Sequence, residues 1–311
     1  MRSWTQTFLL SCVCLTSSIL ATDADRLHLS GQRSRRTVGG FVAPHIPWQV
    51  MVYLGDTAFD GGYAGGALIS DHWVLTAARN LFVNKTRPPP AYPSDSWEKH
   101  SIPKVYVGIT DRVLANSSNQ AEVEKVVLHP DFRKTSVWEN DLALIKLKEP
   151  VTFSESVMPI PLPERGDNFA ETEGMRGVLA GWGWGALLTP ANQLKYIILP
   201  VANHEACRQE YEGRSNGPKV DEKVFCTSKS AFHENVCFGD AGGALAVQDA
   251  ATGRVYAAGI LSYDKTCTMK EHAVYAKLSA YVPWINSVMR GDSETLLEQR
   301  NKLMNYLYSK Q

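Results

Sequence analysis

A chain of 311 residues and 34.4 kDa is long enough for one large or two medium domains with a sizeable core. Hydrophobic residues at 44% and charged residues at 21% exclude a mostly disordered chain. Lys+Arg and Asp+Glu balance at 32 each, which leaves no basic excess to neutralise phosphates, and no apolar run reaches the roughly 20 residues of a membrane-spanning helix, so a soluble mature protein is expected.

The N-terminus reads as a targeting segment. Arg2 supplies a positive charge, Phe8 to Leu15 an apolar core, and small residues follow up to Ala21. This is the pattern of a secretory signal peptide, with cleavage expected after Ala21. Residues 22–36 form a short basic pro-segment ending in Arg33-Ser34-Arg35-Arg36. It is a solvated linker or a processing site; cleavage between Arg36 and Thr37 is the sharper reading. Without residues 1–36 the chain keeps 27 basic and 30 acidic residues, a formal charge of −3.

From Trp48 onward, β-branched and aromatic runs recur between turn residues. The expected strands are 49–54, 67–70, 73–77, 104–108, 122–128, 142–147, 178–181, 195–201, 243–247, 255–261 and 273–278. Their spacing, with Gly and Pro between, predicts an all-β sandwich or barrel architecture, and about a dozen strands fit two barrels better than one. The C-terminal tail, 290–311, differs. Leu296, Leu297, Leu303, Met304 and Leu307 fall near helical spacing among charges. An amphipathic helix there could dock on its own body, bind a partner or stay frayed.

Cys12 and Cys14 leave with the signal peptide, and Cys207, Cys226, Cys237 and Cys267 remain. An even count in a secreted chain suggests two disulfides, with three possible pairings. No two of these cysteines lie within four residues, so a metal site fails on spacing, and no cofactor is expected. Asn84-Lys85-Thr86 and Asn116-Ser117-Ser118 are glycosylation sequons.

Three segments carry chemistry together: Gly65-Gly66-Ala67-Leu68-Ile69 through Thr76-Ala77-Ala78-Arg79, then Asn140-Asp141-Leu142-Ala143-Leu144, then Gly239-Asp240-Ala241-Gly242-Gly243. With Thr37-Val38-Gly39-Gly40 ahead of them, the chain resembles the chymotrypsin-like serine protease family over 37–289. The resemblance implies two six-stranded β-barrels with a cleft between them and a C-terminal helix. It also implies a Ser nucleophile, a His base and an Asp that orients the His. Here Asp141 stands at the Asp position, Arg79 at the His position and Ala241 at the Ser position.

Ala241 offers no nucleophilic atom, and the Arg79 guanidinium stays protonated, so it cannot act as a general base. Loss of the Ser or the His alone typically costs on the order of 10⁶ in kcat. Arg79 is expected to pair with Asp141, which would otherwise sit partly buried and alone. The resemblance places Asn235 at the base of the specificity pocket, where it cannot neutralise a basic side chain. It places Ser262-Tyr263-Asp264 on the strand that pairs with substrate. Asp264 and Lys265 replace small residues there, so a closed or repurposed cleft is expected. The resemblance further implies pairings Cys207–Cys226 and Cys237–Cys267, and an ion pair between the freed amine of Thr37 and Asp240. The disulfide beside the catalytic His is missing, with Ala64 and Asn80 at its positions, and Pro161 stands where a cysteine usually tethers the pro-segment.

Arg79-Asn80-Leu81-Phe82, Val123 through Pro130, Leu194 through Ala202, Cys237 through Gly242 and Gly259 through Lys265 narrow the match. They resemble the inactive, haemoglobin-capturing branch of that family, in the short form of bony fishes. This implies a plasma protein, monomeric when free, that binds αβ haemoglobin dimers through loops of the protease-like domain, limits oxidative damage and iron loss, and is cleared by a scavenger receptor. Trp138, Phe232 and Tyr263 are candidate contact residues, because interface hot spots favour aromatics; each could equally pack into the domain's own loops. Alternatives are an inactive homologue that binds a receptor, a growth-factor partner or a microbial surface, and an enzyme with residual hydrolysis.

Overall fold

The computed structural model describes residues 40–291, except 44, 55–61, 83–101, 133–138, 165, 168, 170–171, 185–189, 216, 231–234, 265–266 and 268–270. Signal peptide, pro-segment and most of the tail therefore lie outside the described residues.

The first half of the chain builds one antiparallel sheet. Its strands are β2 (Gln49–Tyr53), β3 (Tyr63–Leu68), β4 (Trp73–Thr76), β5 (Lys104–Val107), β6 (Gln120–Ala121), β7 (Val123–Leu128) and β8 (Ala143–Leu147). They run in the order β6-β5-β2-β3-β4-β8-β7. The second half builds another from β9 (Arg176–Gly181), β10 (Lys195–Pro200), β11 (Val224–Thr227), β12 (Ala244–Gln248), β13 (Val255–Tyr263) and β14 (Ala273–Lys277). Strand β1 (Phe41–Val42) crosses over to join this second sheet, giving β1-β10-β9-β12-β13-β14-β11. Each sheet thus has seven strands where the resemblance implied six. The extra members, β1 and β6, are two-residue edge strands on β10 and β5.

Val, Ile and Leu side chains drive each sheet's own core. Val50, Val52, Leu68, Val74, Ile145 and Leu147 fill the first, and Leu179, Leu199, Phe225, Leu245, Val247 and Tyr275 fill the second. Burial of side chains of this size stabilises by roughly 1.5–3 kcal/mol each before entropy is counted. A third cluster spans the halves: Leu75, Leu142 and Leu144 pack with Ala244, Ala246 and Ile260, closed over by Leu278, Tyr281, Ile285 and Val288 of α3 (Leu278–Arg290). The small alanines of β12 let the two sheets approach, and α3 ends at Gly291 in the left-handed conformation, φ 80°.

Among the described residues, two short α-helices complete the fold. α1 (Ala78–Phe82) follows β4 directly. α2 (His204–Tyr211) begins at Asn203, whose side-chain oxygen accepts from the Ala206 amide at 2.9 Å. α2 anchors the first of two disulfides, Cys207–Cys226, with Cα atoms 6.4 Å apart; the second is Cys237–Cys267, at 4.4 Å.

Candidate functional site

Four segments from both halves converge: α1, the turn before β8, the loop 237–243, and the end of β13. Asn140 takes φ 49°, an uncommon conformation for a non-glycine residue, and turns the chain so that Asp141 points inward. The Asp141 side chain is 1% exposed. Its Oδ1 accepts from the Arg79 amide at 2.7 Å and its Oδ2 from the Ser262 hydroxyl at 2.6 Å. Burial pushes the Asp141 carboxyl up to about 6, against the Arg79 guanidinium and the two hydrogen bonds, which pull it down.

Arg79 links the halves. Its Nε lies 3.4 Å from Asp141 Oδ2 and donates to the Ser262 carbonyl at 2.7 Å, while another guanidinium nitrogen donates to Asp264 Oδ1 at 2.7 Å. The expected pairing with Asp141 is thus one side of a bridge, and the shorter contact is to Asp264. A planar fork with five donors suits this double role better than an ammonium would.

Ala241 is 1% exposed. Its carbonyl accepts from the Gly65 amide at 2.8 Å and from the Asn80 side-chain amide at 3.0 Å. Asn80, one of the two positions of the missing disulfide, thereby ties α1 to the loop by a hydrogen bond instead. Gly242 has φ 91°, and a Cβ there would lie 2.1 Å from the Gly65 carbonyl oxygen, so only glycine fits. Asp264 Oδ2 accepts from the Gly239 amide at 3.2 Å and the Ala241 amide at 3.3 Å. Asp264 is 3% exposed.

Asp240 points the other way. Its Oδ1 accepts from the Gly183 amide at 2.9 Å and its Oδ2 from the Cys237 amide at 3.0 Å. Gly181 and Gly183 leave the room: a Cβ on either would fall 2.2–2.3 Å from the carboxyl group. Burial pushes Asp240 up to about 7, the nearby Asp264 charge adding to it, while the two backbone donors pull it down. Its expected partner Thr37, and Arg36, lie outside the described residues.

Asn235 is committed to structure. Its Nδ2 donates to the Glu271 carbonyl at 2.8 Å and its Oδ1 accepts from the Val236 amide at 2.9 Å. Pro161 uses its carbonyl to hold the Ala257 amide at 2.9 Å. Tyr263 is 8% exposed and packs edge-on against Tyr211, with ring centroids 5.3 Å apart. Its ring belongs to the cluster around Cys207 and Cys226, so in the free chain it packs into the domain itself. Trp138, Phe232, Lys265 and Asn84 lie outside the described residues; Asn116 is exposed just ahead of β6.

Chemically, this constellation has neither an oxygen or sulfur nucleophile at 241 nor a proton acceptor at 79. Sequence reasoning identified Arg79, Asp141 and Ala241 but missed what Asp264 and Asn80 hold. The signal for Asp264 was present: a carboxylate where a substrate-pairing strand carries small residues.

The Trypsin family model matches residues 37–285. The chain is 37% identical over 274 residues to haptoglobin of Canis lupus familiaris, covering 83% of this chain and 75% of that protein. It is 36% identical to haptoglobin of Mesocricetus auratus, over 82% of this chain and 70% of the relative. Against haptoglobin of Homo sapiens the identity is 34%, over 82% and 60%. The chain belongs to the trypsin family, in its haptoglobin-like branch. The branch that Arg79-Asn80-Leu81-Phe82 resembles is therefore the one the whole trypsin domain matches. In this haptoglobin-like chain Arg79 and Ala241 stand at two of the triad positions, and Asp264 joins them through the Arg79 guanidinium and the Ala241 amide.

Proposed function

We propose that this haptoglobin-like chain is a secreted protein without protease activity that captures free αβ haemoglobin dimers, limiting oxidative damage and iron loss. Residues 1–21 direct secretion, 22–36 are a basic pro-segment, 37–289 form the binding domain, and 290–311 are an amphipathic tail. The two disulfides suit an oxidising compartment, and among the described residues no helix is long and apolar enough to cross a membrane. Asn84 and Asn116 are glycan acceptors.

The observation that carries the reading is the site itself. A buried alanine and a pinned arginine occupy the two positions that make and break bonds in active relatives, in a chain 36–37% identical to two mammalian haptoglobins. The fold around it is intact, so the domain is maintained for something other than turnover. Trp138, Phe232 and Tyr263 are the aromatic candidates for the haemoglobin contact, and Tyr263, the one among the described residues, is buried in the free chain. Cleavage after Arg36 would free the Thr37 amine to pair with Asp240, and that cation would favour the ionised form of a carboxyl that burial pushes up to about 7.

Biolayer interferometry with the immobilised chain tests this. Dilute haemoglobin should bind with slow dissociation, and monomeric myoglobin, which offers no αβ pair, should not. Equal responses to the two, or none to haemoglobin, would contradict the proposal.

A further inference from the structure

In a working protease of this fold, the amides that flank the residue before the nucleophile point at the substrate's carbonyl oxygen and stabilise it as it becomes negative. Here those amides belong to Gly239 and Ala241. Both donate to one oxygen of Asp264, at 3.2 and 3.3 Å. The other oxygen is held by Arg79 at 2.7 Å, and Arg79 is in turn held by Asp141 and the Ser262 carbonyl. Asp264 is thus fixed at both oxygens and buried.

We propose that Asp264 is a built-in occupant of the oxyanion pocket: an autoinhibitory plug, cross-braced to the other half of the fold by Arg79. Its carboxylate supplies the negative oxygen that a tetrahedral intermediate would otherwise bring. The site is then closed by a device separate from the changes at 79 and 241. Restoring the Ser and the His leaves the pocket filled, since an imidazole introduced at position 79 can pair with Asp264 in place of the guanidinium. The plug stands independently of any haemoglobin contact.

The first test is amide hydrogen exchange in the full chain against Asp264→Ala. That variant leaves Arg79 paired with Asp141, so no charge is stranded. The Gly239 and Ala241 amides should be protected in the native chain and lose that protection in the variant, by on the order of 10-fold or more, while the Leu144 and Leu245 amides stay unchanged. Gly239 and Ala241 amides that exchange equally in both proteins would overturn the proposal.

The second test is covalent. A fluorophosphonate forms a bond from the serine oxygen to phosphorus as fluoride leaves and the imidazole takes the hydroxyl proton. Arg79→His with Ala241→Ser should label at least ~100-fold more slowly than the same pair with Asp264→Gly added, the scale of losing oxyanion stabilisation. A double variant that labels as fast as the triple would overturn the plug.

Discussion

At the scale of single residues, the buried charges of Arg79, Asp141 and Asp264 compensate one another. Asp141 is retained, and it is compensated by Arg79 and Ser262 rather than by an imidazole. Removing Arg79 alone strands two buried carboxylates, so Arg79→Ala should cost about 3–5 kcal/mol in urea unfolding. A loss under 1 kcal/mol would show that the bridge is not holding the fold. Ala241→Ser alone should give no fluorophosphonate labelling, because position 79 still cannot accept a proton; labelling at a protease-like rate would refute that assignment. Asp240 carries a pH prediction. Its folded value of about 7 lies above the ordinary 3.8, so the folded chain holds this proton more tightly than the unfolded one. The stabilisation is fully present below about pH 4 and is lost as pH rises through 7. Thermal unfolding of the chain uncut at Arg36 should show Tm falling between about pH 4 and 7 and levelling off above, and Asp240→Asn should flatten that slope. An unchanged slope in the variant would assign the pH dependence elsewhere; Asp141, raised in the same direction, is the next group to test.

At the scale of elements, alternation and turn residues made most strands readable: 49–54, 73–77, 104–108 and 195–201 each came within a residue or so of β2, β4, β5 and β10. The two-residue strands β1 and β6, and β11, had no expected counterpart, and most of β3 was missed. Tyr63 to Gly66 is strand, but two glycines and an alanine give no side-chain pattern to read. The reason for those glycines is tertiary: a Cβ on Gly65 would lie 2.6 Å from the Gly243 backbone nitrogen across the junction of the halves. Gly65→Ala should therefore force the two halves apart and destabilise by about 1–3 kcal/mol, read by urea midpoint, with no loss if the junction is loose. α2 also escaped the periodicity, because its mostly polar residues bury only Cys207 and Tyr211; the Asn203 cap was its one local signal. β11 is four residues long, and its position is set by pairing with β14 and by the Cys207–Cys226 link rather than by pattern. In the site, residue types alone identified the changed positions 79 and 241. The turn of Asp264 onto the Gly239 and Ala241 amides is a product of packing between segments more than 20 residues apart, which no local spacing encodes.

At the scale of the whole molecule, the chain keeps a trypsin-family body. The shared core of Leu75, Leu144, Ala246, Ile260 and Ile285 joins the halves, and Arg79 braces them at the site. The most direct measurement is size-exclusion chromatography of the purified mature protein mixed with haemoglobin, followed at the haem absorbance. Co-elution of haem with the chain in a stable complex of one chain per αβ dimer is the predicted result. Haem eluting at the position of free haemoglobin, with correctly processed and disulfide-bonded protein, would contradict haemoglobin capture and leave an inactive trypsin fold with a different partner.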